Sequence, residues 1–220
     1  MRAPTSKASV SHKESSHDGE PRWPVMVALL AVAGLRYALP SALSVGPDWA
    51  LAAVVPVMLI PTILLHRTGR HRANQIAGYL VTGVVTADTI LSLGLLIARL
   101  PDHKEPPKDL LIAAAGLWVS NILVFASWYW RLDAGGPNAR DRRAHHDSGA
   151  FLFPQMTLGS GQRWKPGFVD YLFLAFNTST AFSPTDVPVL SRWAKVMMML
   201  QASISLGTVA ILAARAVNVL

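Results

Sequence analysis

The 220-residue chain contains no cysteine, which excludes disulfides, thiolate nucleophiles and Cys-ligated zinc or iron–sulfur centres. Charge is also scarce, at 15% of residues, and acids are scarcer than bases: 13 Asp and Glu against 20 Lys and Arg, a net charge of +7. No Ser/His/Asp set and no paired carboxylates emerge, so nothing points to an enzyme. What the chain has instead is apolar length. Hydrophobic residues make up 51% of it, and runs of about 20 indicate a polytopic membrane protein rather than a soluble domain. The basic excess invites a nucleic-acid reading, but the positive charges sit in the tail and in loops between apolar runs. The orientation rule for membrane proteins accounts for them more simply, so no nucleic-acid partner is expected.

Residues 1–22 are polar with nothing to bury and read as a disordered tail. Residues 23–130 hold four apolar spans, Val25–Leu43, Trp49–Leu65, Ile76–Leu100 and Leu110–Trp130. Pro56 and Pro61 should kink the second span, and Trp128, Tyr129 and Trp130 end the fourth as an interfacial belt would. Residues 131–167 form the longest polar stretch; its Arg-rich first part reads as mobile, and FLFPQMTL (151–158) as interfacial. Adjacent His145 and His146 with Asp147 make a poor metal site geometrically, and GSGQRWK (159–165) lacks Walker spacing. No metal or cofactor is expected. Arginines and lysines concentrate in the tail, the second loop and the long loop, which puts the N-terminus in the cytoplasm.

Residues 168–220 carry the most unusual stretch. An apolar start at Phe168 gives way to Asn177, Thr178, Ser179, Thr180, Ser183, Thr185 and Asp186, with Pro184 and Pro188 among them. About 15 residues make roughly 22 Å of helix, short of the ~30 Å hydrocarbon core. This is a half-helix followed by irregular backbone, which survives in a bilayer only under a cover of protein or water. It is either a short broken crossing or a re-entrant segment; Arg215 near the chain end favours the crossing. Residues 183–190 should be extended or turning, because the prolines disfavour helix at Ser183 and Val187. The last span is Ala194–Leu220.

SPTDVPVLSRWAK (183–195) resembles the pore loop of potassium channels, in which a pore helix leads into a filter and then an inner helix. Aligned without gaps, the filter positions are Ala181, Phe182, Ser183, Pro184 and Thr185, with Asp186 at the Asp that follows the filter. Both filter glycines are absent, and Pro184 cannot supply left-handed backbone, so a potassium-selective filter of that kind is not implied. The chain also resembles a family of uncharacterised bacterial integral membrane proteins, domain of unknown function 1345, in TSTAFSPTDVPVLSR (178–192), AARAVN (213–218), WRLDAGGP (130–137) and FLFPQ (151–155). That resemblance implies a multi-pass protein of the bacterial cytoplasmic membrane and brings no activity with it.

Asp88 lies mid-way along an apolar span, where a carboxylate must face protein or water; it reads as a proton or cation relay or as a hydrogen-bonded packing residue. Arg36 reads as snorkelling to an interface, with pairing to Asp88 as the alternative. Gln201, Ser205, Thr208 and Arg215 share a stripe of the last span that either lines a conduit or lets helices pack closely. Asp186 could coordinate a cation or simply hold the bend.

The expected fold is therefore an all-α helical bundle of five full transmembrane helices plus one short broken or re-entrant, pore-loop-like segment. The candidate polar site is Asp88, Asn177, Thr178, Thr180, Ser183, Thr185, Asp186, Gln201, Ser205 and Thr208, brought together where the break packs on the last span. Candidate partners are membrane lipids, further copies of the chain and a small cation or proton. The competing functional class is a non-conducting accessory protein that binds a partner protein or lipid.

Overall fold

The computed structural model describes residues 19–43, 46–99, 106–143, 146, 148–158, 164–181 and 187–217. Its seven α-helices are α1 (Trp23–Leu35), α2 (Ala50–Arg67), α3 (His71–Arg99), α4 (Pro107–Leu132), α5 (Pro137–Asp141), α6 (Phe168–Thr180) and α7 (Arg192–Val217). Four of them, α2, α3, α4 and α7, are long and apolar enough to cross a membrane. Among the described residues β-pairing is limited to a single bridge between Phe151 and Val189.

The first apolar run does not make one helix over its whole length. With Pro24 in its first turn, α1 buries Val25, Ala28, Leu29, Val32 and Ala33, a stripe at helical spacing. It stops after 13 residues, about 20 Å. A 3-10 turn at Arg36–Ala38 follows, then Leu39 in the extended conformation that the next residue, Pro40, favours, then a second 3-10 turn at Ser41–Leu43. By contrast α2 runs unbroken through Pro56 and Pro61.

Helix α4 is the hub. It packs on α1, α3, α6 and α7, while α2 leans on α3 and α1. Ala113, Ala114, Gly116, Ser120, Ala126 and Ser127 are among its buried residues, and such small side chains let neighbouring backbones come close. Tyr129 and Trp130 are buried too, at 0% and 2% exposure. They therefore belong to the core and not to an interfacial belt; Trp128 alone of the three is partly exposed, with its indole N–H donating to Thr86 Oγ1 at 2.8 Å.

One end of the bundle gathers the starts of α1, α3, α6 and α7 and the ends of α2 and α4. Asn138 of α5 donates to the His71 carbonyl at 3.5 Å, and the Glu20 N–H donates to Asp141 Oδ1 at 2.9 Å. We call this the basic end, because Arg22, Arg67, Arg70, Arg72, Arg131, Arg140, Arg142, Arg143 and Lys165 lie there. At the opposite end Leu39, Leu43, Leu96, Leu110, Ala113, Ala114 and Leu117 form a second cluster, joined by Ile211 and Leu212.

Both ends of the stretch 168–190 lie at the basic end. The Phe168 ring meets Trp130, and Tyr171 reaches Asp133. After α6 the chain comes back: the Leu190 N–H donates to the Ala150 carbonyl at 2.8 Å and the Leu152 N–H to the Pro188 carbonyl at 2.9 Å. The segment is a hairpin that enters and returns, and the crossing that Arg215 favoured is not formed. A 13-residue helix reaches only about 20 Å, short of the ~30 Å hydrocarbon core. Residues 182–186 lie outside the described residues.

Parts of the basic loop are held closely among the described residues: Arg140 is 1% exposed, donating to the Trp130 and Asp133 carbonyls at 2.8 and 3.0 Å and to Glu20 Oε2 at 2.9 Å. Arg22 pairs with Asp141, so residues 20–22 of the expected tail are held against α5. Phe151 and Phe153 of the expected interfacial segment are buried, their rings against Tyr171; Phe151 also meets Tyr129 and Trp193. The hairpin thus closes over an aromatic plug.

Candidate functional site

Inside the bundle the site is built where α4, α6 and α7 meet. Helix α7 buries a single stripe, Ala194, Met198, Gln201, Ser205 and Thr208, at helical spacing. Gln201 is fully buried and joins three helices. Its Nε2 donates to the Ala175 carbonyl at 2.7 Å and to Ser179 Oγ at 2.9 Å on α6, and its Oε1 accepts from the Tyr129 hydroxyl at 2.6 Å on α4. One turn deeper, Asn121 Nδ2 donates to the Gln201 carbonyl at 3.2 Å and to Ser205 Oγ at 2.8 Å. Polar side chains in a membrane interior survive when they are paired in this way.

The other hydroxyls are spent locally. Thr178 donates to the Leu174 carbonyl and Thr208 to the Ile204 carbonyl, each at 2.8 Å, and Thr180 to Phe176 at 2.9 Å, all on their own helices. Thr178 and Thr208 are buried, Asn177 is half-buried, and Thr180 is exposed. Ser183, Thr185 and Asp186 lie outside the described residues, as do His145 and Asp147 of the loop. Gln201 and Ser205 are therefore brought together, whereas Thr178 and Thr208 face their own backbones.

Asp88 stands apart from this knot. It pairs with Arg36, which is 3% exposed, where α1 breaks into its 3-10 turn. Pairing, the alternative reading, thus takes the place of the snorkelling expected of Arg36, whose side chain is buried beside Asp88. Beside the pair, a groove of about 330 Å³ opens between Leu51 and Val54 of α2 and Val84, Ala87 and Leu91 of α3.

The residues that the sequence reading passed over are Asn121, Tyr129 and Asp133. Asn121 carried a usable signal, since it is a lone amide in an apolar span. Tyr129 was disguised as a belt residue. Asp133, beyond the helix end, is fully buried, accepts from the Tyr171 hydroxyl at 2.7 Å and from the Ala150 N–H, and has His146 Nε2 at 3.6 Å. A Cβ on Gly149 would sit 2.6 Å from Asp133 Oδ1, so only glycine admits this approach.

The turn that positions Asp133 depends on Gly136. Its φ is +86° and a Cβ there would lie 2.7 Å from the Arg131 carbonyl oxygen. Gly136→Ala should destabilise the purified protein by about 1–3 kcal/mol. Gly207→Ala, where nothing lies within 4 Å of the added carbon, should be neutral or mildly stabilising. Thermal melts of the two variants in detergent check the contrast.

No family model, curated protein or solved structure matches the chain. The arrangement can do two things chemically: tie α6 to α4 and α7 through a buried polar network, and keep one paired carboxylate, Asp88, at the edge of an open groove.

Proposed function

We propose that the chain is a channel-like subunit that passes a small ion or solute, and that the conducting route forms between copies and not inside one. The observation that supports this is the hairpin: a half-length helix, α6, enters from the basic end, the backbone returns to that end, and a full-length helix, α7, follows. It is the arrangement that a pore-loop resemblance implies. Within one chain the Gln201 knot closes the space between α4, α6 and α7. The outer faces of α6 and α7 remain open, with Val169, Phe173 and Phe176 on the one and Met199, Leu206 and Val209 on the other. A homo-oligomer that brings hairpins together would cover these faces with protein.

In this reading α1 with its 3-10 continuation makes a fifth crossing, thinner than the rest, and α6 with its return is the re-entrant segment. The basic end is cytoplasmic, as the concentration of Arg and Lys there supports, and the protein belongs to the bacterial cytoplasmic membrane. The second reading is a non-conducting accessory protein. It is supported by the completeness of the Gln201 network and by the pairing of Asp88 with Arg36, both of which suit a purely structural role.

Flux through proteoliposomes of the purified protein separates the two. Conduction of a monovalent cation or of protons is expected, and Asp186→Ala should reduce it. If no cation, proton or small neutral solute moves faster than through empty vesicles, the accessory reading stands.

A further inference from the structure

Arg131, in the last turn of α4, is buried, with 8% exposure. Its Nε donates to Thr82 Oγ1 at 2.8 Å, its guanidinium lies 5.4 Å from the Trp130 ring centroid, and it packs over Gly78. Among the described residues no carboxylate pairs with it. The acids of this end are engaged elsewhere: Glu20 with Arg140 and Trp130, Asp141 with Arg22, Asp133 with Tyr171, and Asp170 with the Gly167 N–H. A buried cation without an anion is costly and calls for one.

The side chain forms part of the wall of a cavity of about 80 Å³ between α1, α2, α3 and α4. Arg22 and Arg67 line the same cavity, and Val25, Leu59 and Ile63 give it an apolar wall. Arg22 Nη2 serves Asp141 and Asn138, while its Nη1 is buried with no hydrogen-bond partner. The N-terminus of α1, which no side chain caps, ends here too and contributes a dipole of the sign an anion needs. His66 is the remaining titratable group on the lining, and no acid lines it.

We propose that this cavity binds an oxyanion of the phosphate class, with Arg131 and Arg22 as direct ligands and Arg67 at the mouth. Arginine forks fit tetrahedral oxyanions through paired N–H donors. The volume exceeds that of one water, so it suits a single phosphate group and not a nucleotide. A free phosphate and the phosphate of a lipid headgroup present the same chemistry. The apolar wall beside the arginines leaves room for a headgroup whose chain lies along α1 and α2.

The test uses the full-length protein in an uncharged, phosphate-free detergent buffer, melted through its seven tryptophans. Inorganic phosphate, or short-chain phosphatidic acid, should raise the melting temperature in proportion to the logarithm of its concentration, as a ligand of the native state does. Chloride at equal ionic strength should not. Arg131→Gln should weaken the response about tenfold or more. Arg67→Glu, at an exposed position, should weaken it while leaving the ligand-free melt unchanged, which covers the case in which the Arg131 variant fails to fold. A response to inorganic phosphate assigns a soluble oxyanion, and a response to phosphatidic acid alone assigns a lipid headgroup. If neither probe shifts the melt, or if both variants respond as the wild type does, the proposal is overturned.

Discussion

Asp88→Ala should lower the melting temperature of the detergent-purified protein by about 6–12 °C, from a loss of about 3 kcal/mol. Arg36 is 3% exposed, and the substitution removes the carboxylate that its guanidinium meets at the break of α1. Removing one partner of a buried ion pair leaves a charge in a place that solvates it poorly. The reverse substitution, Arg36→Leu, should be milder. The Asp88 side chain is 20% exposed beside an open groove, where its charge can be hydrated or neutralised by a proton. The double variant, Arg36→Met with Asp88→Leu, should recover most of the lost stability, because it removes both charges and fills the site with apolar atoms. Equal single losses that add in the double variant would show that the pair is not coupled.

The second large effect is expected at Gln201. Gln201→Leu should cost about 2–4 kcal/mol, measured by unfolding in mixed micelles. Leucine nearly preserves the volume, so the loss is of hydrogen bonds and not of packing. The Tyr129 hydroxyl and the Ser179 hydroxyl, both buried, lose their partner, and α6 loses its polar tie to α7. Individual hydrogen bonds in membranes average well under the values found for unpaired groups in soluble cores, which sets the lower bound. Thr208→Val is the control: its hydroxyl serves only the Ile204 carbonyl of its own helix, so its loss should stay within about 0.5 kcal/mol. If Gln201→Leu unfolds like Thr208→Val, the hairpin is held by its aromatic plug alone.

Both sites were readable in one half only. Gln201 and Ser205 stood out as a polar stripe on one face of an apolar helix, and helical spacing is a local property. Asp88 was equally visible as an acid in an apolar run. Their partners were not. Asn121 and Tyr129 lie 80 and 72 positions from the α7 residues they bond, and Arg36 lies 52 positions from Asp88. Which pairs form depends on how helices rotate and cross, and no short-range pattern carries that information.

The long loop shows the same division. Its arginines read as a mobile basic stretch because charge in sequence looks solvated. In the folded chain Arg140 is sealed between Trp130 and Tyr171, at 5.8 and 5.1 Å from their ring centroids, with Glu20 as its counterion. Only assembly of residues from the chain start, the α4 end and α6 makes that burial tolerable.

Apolar length and helical periodicity are enough, taken alone, to establish an all-α protein with helices suited to a membrane, and proline placement marks the half-helix at 168. Those features act over a few turns, where each residue's own chemistry decides. That residues 187–190 lie at the same end of the bundle as Phe168 was decided by contacts such as the bridge between Phe151 and Val189. The pairing of Arg36 and the burial of Tyr129 were decided likewise by tertiary contact. Each of these depends on which distant groups satisfy a buried backbone or charge, and in an apolar interior an unsatisfied group costs more than a turn of helix gains.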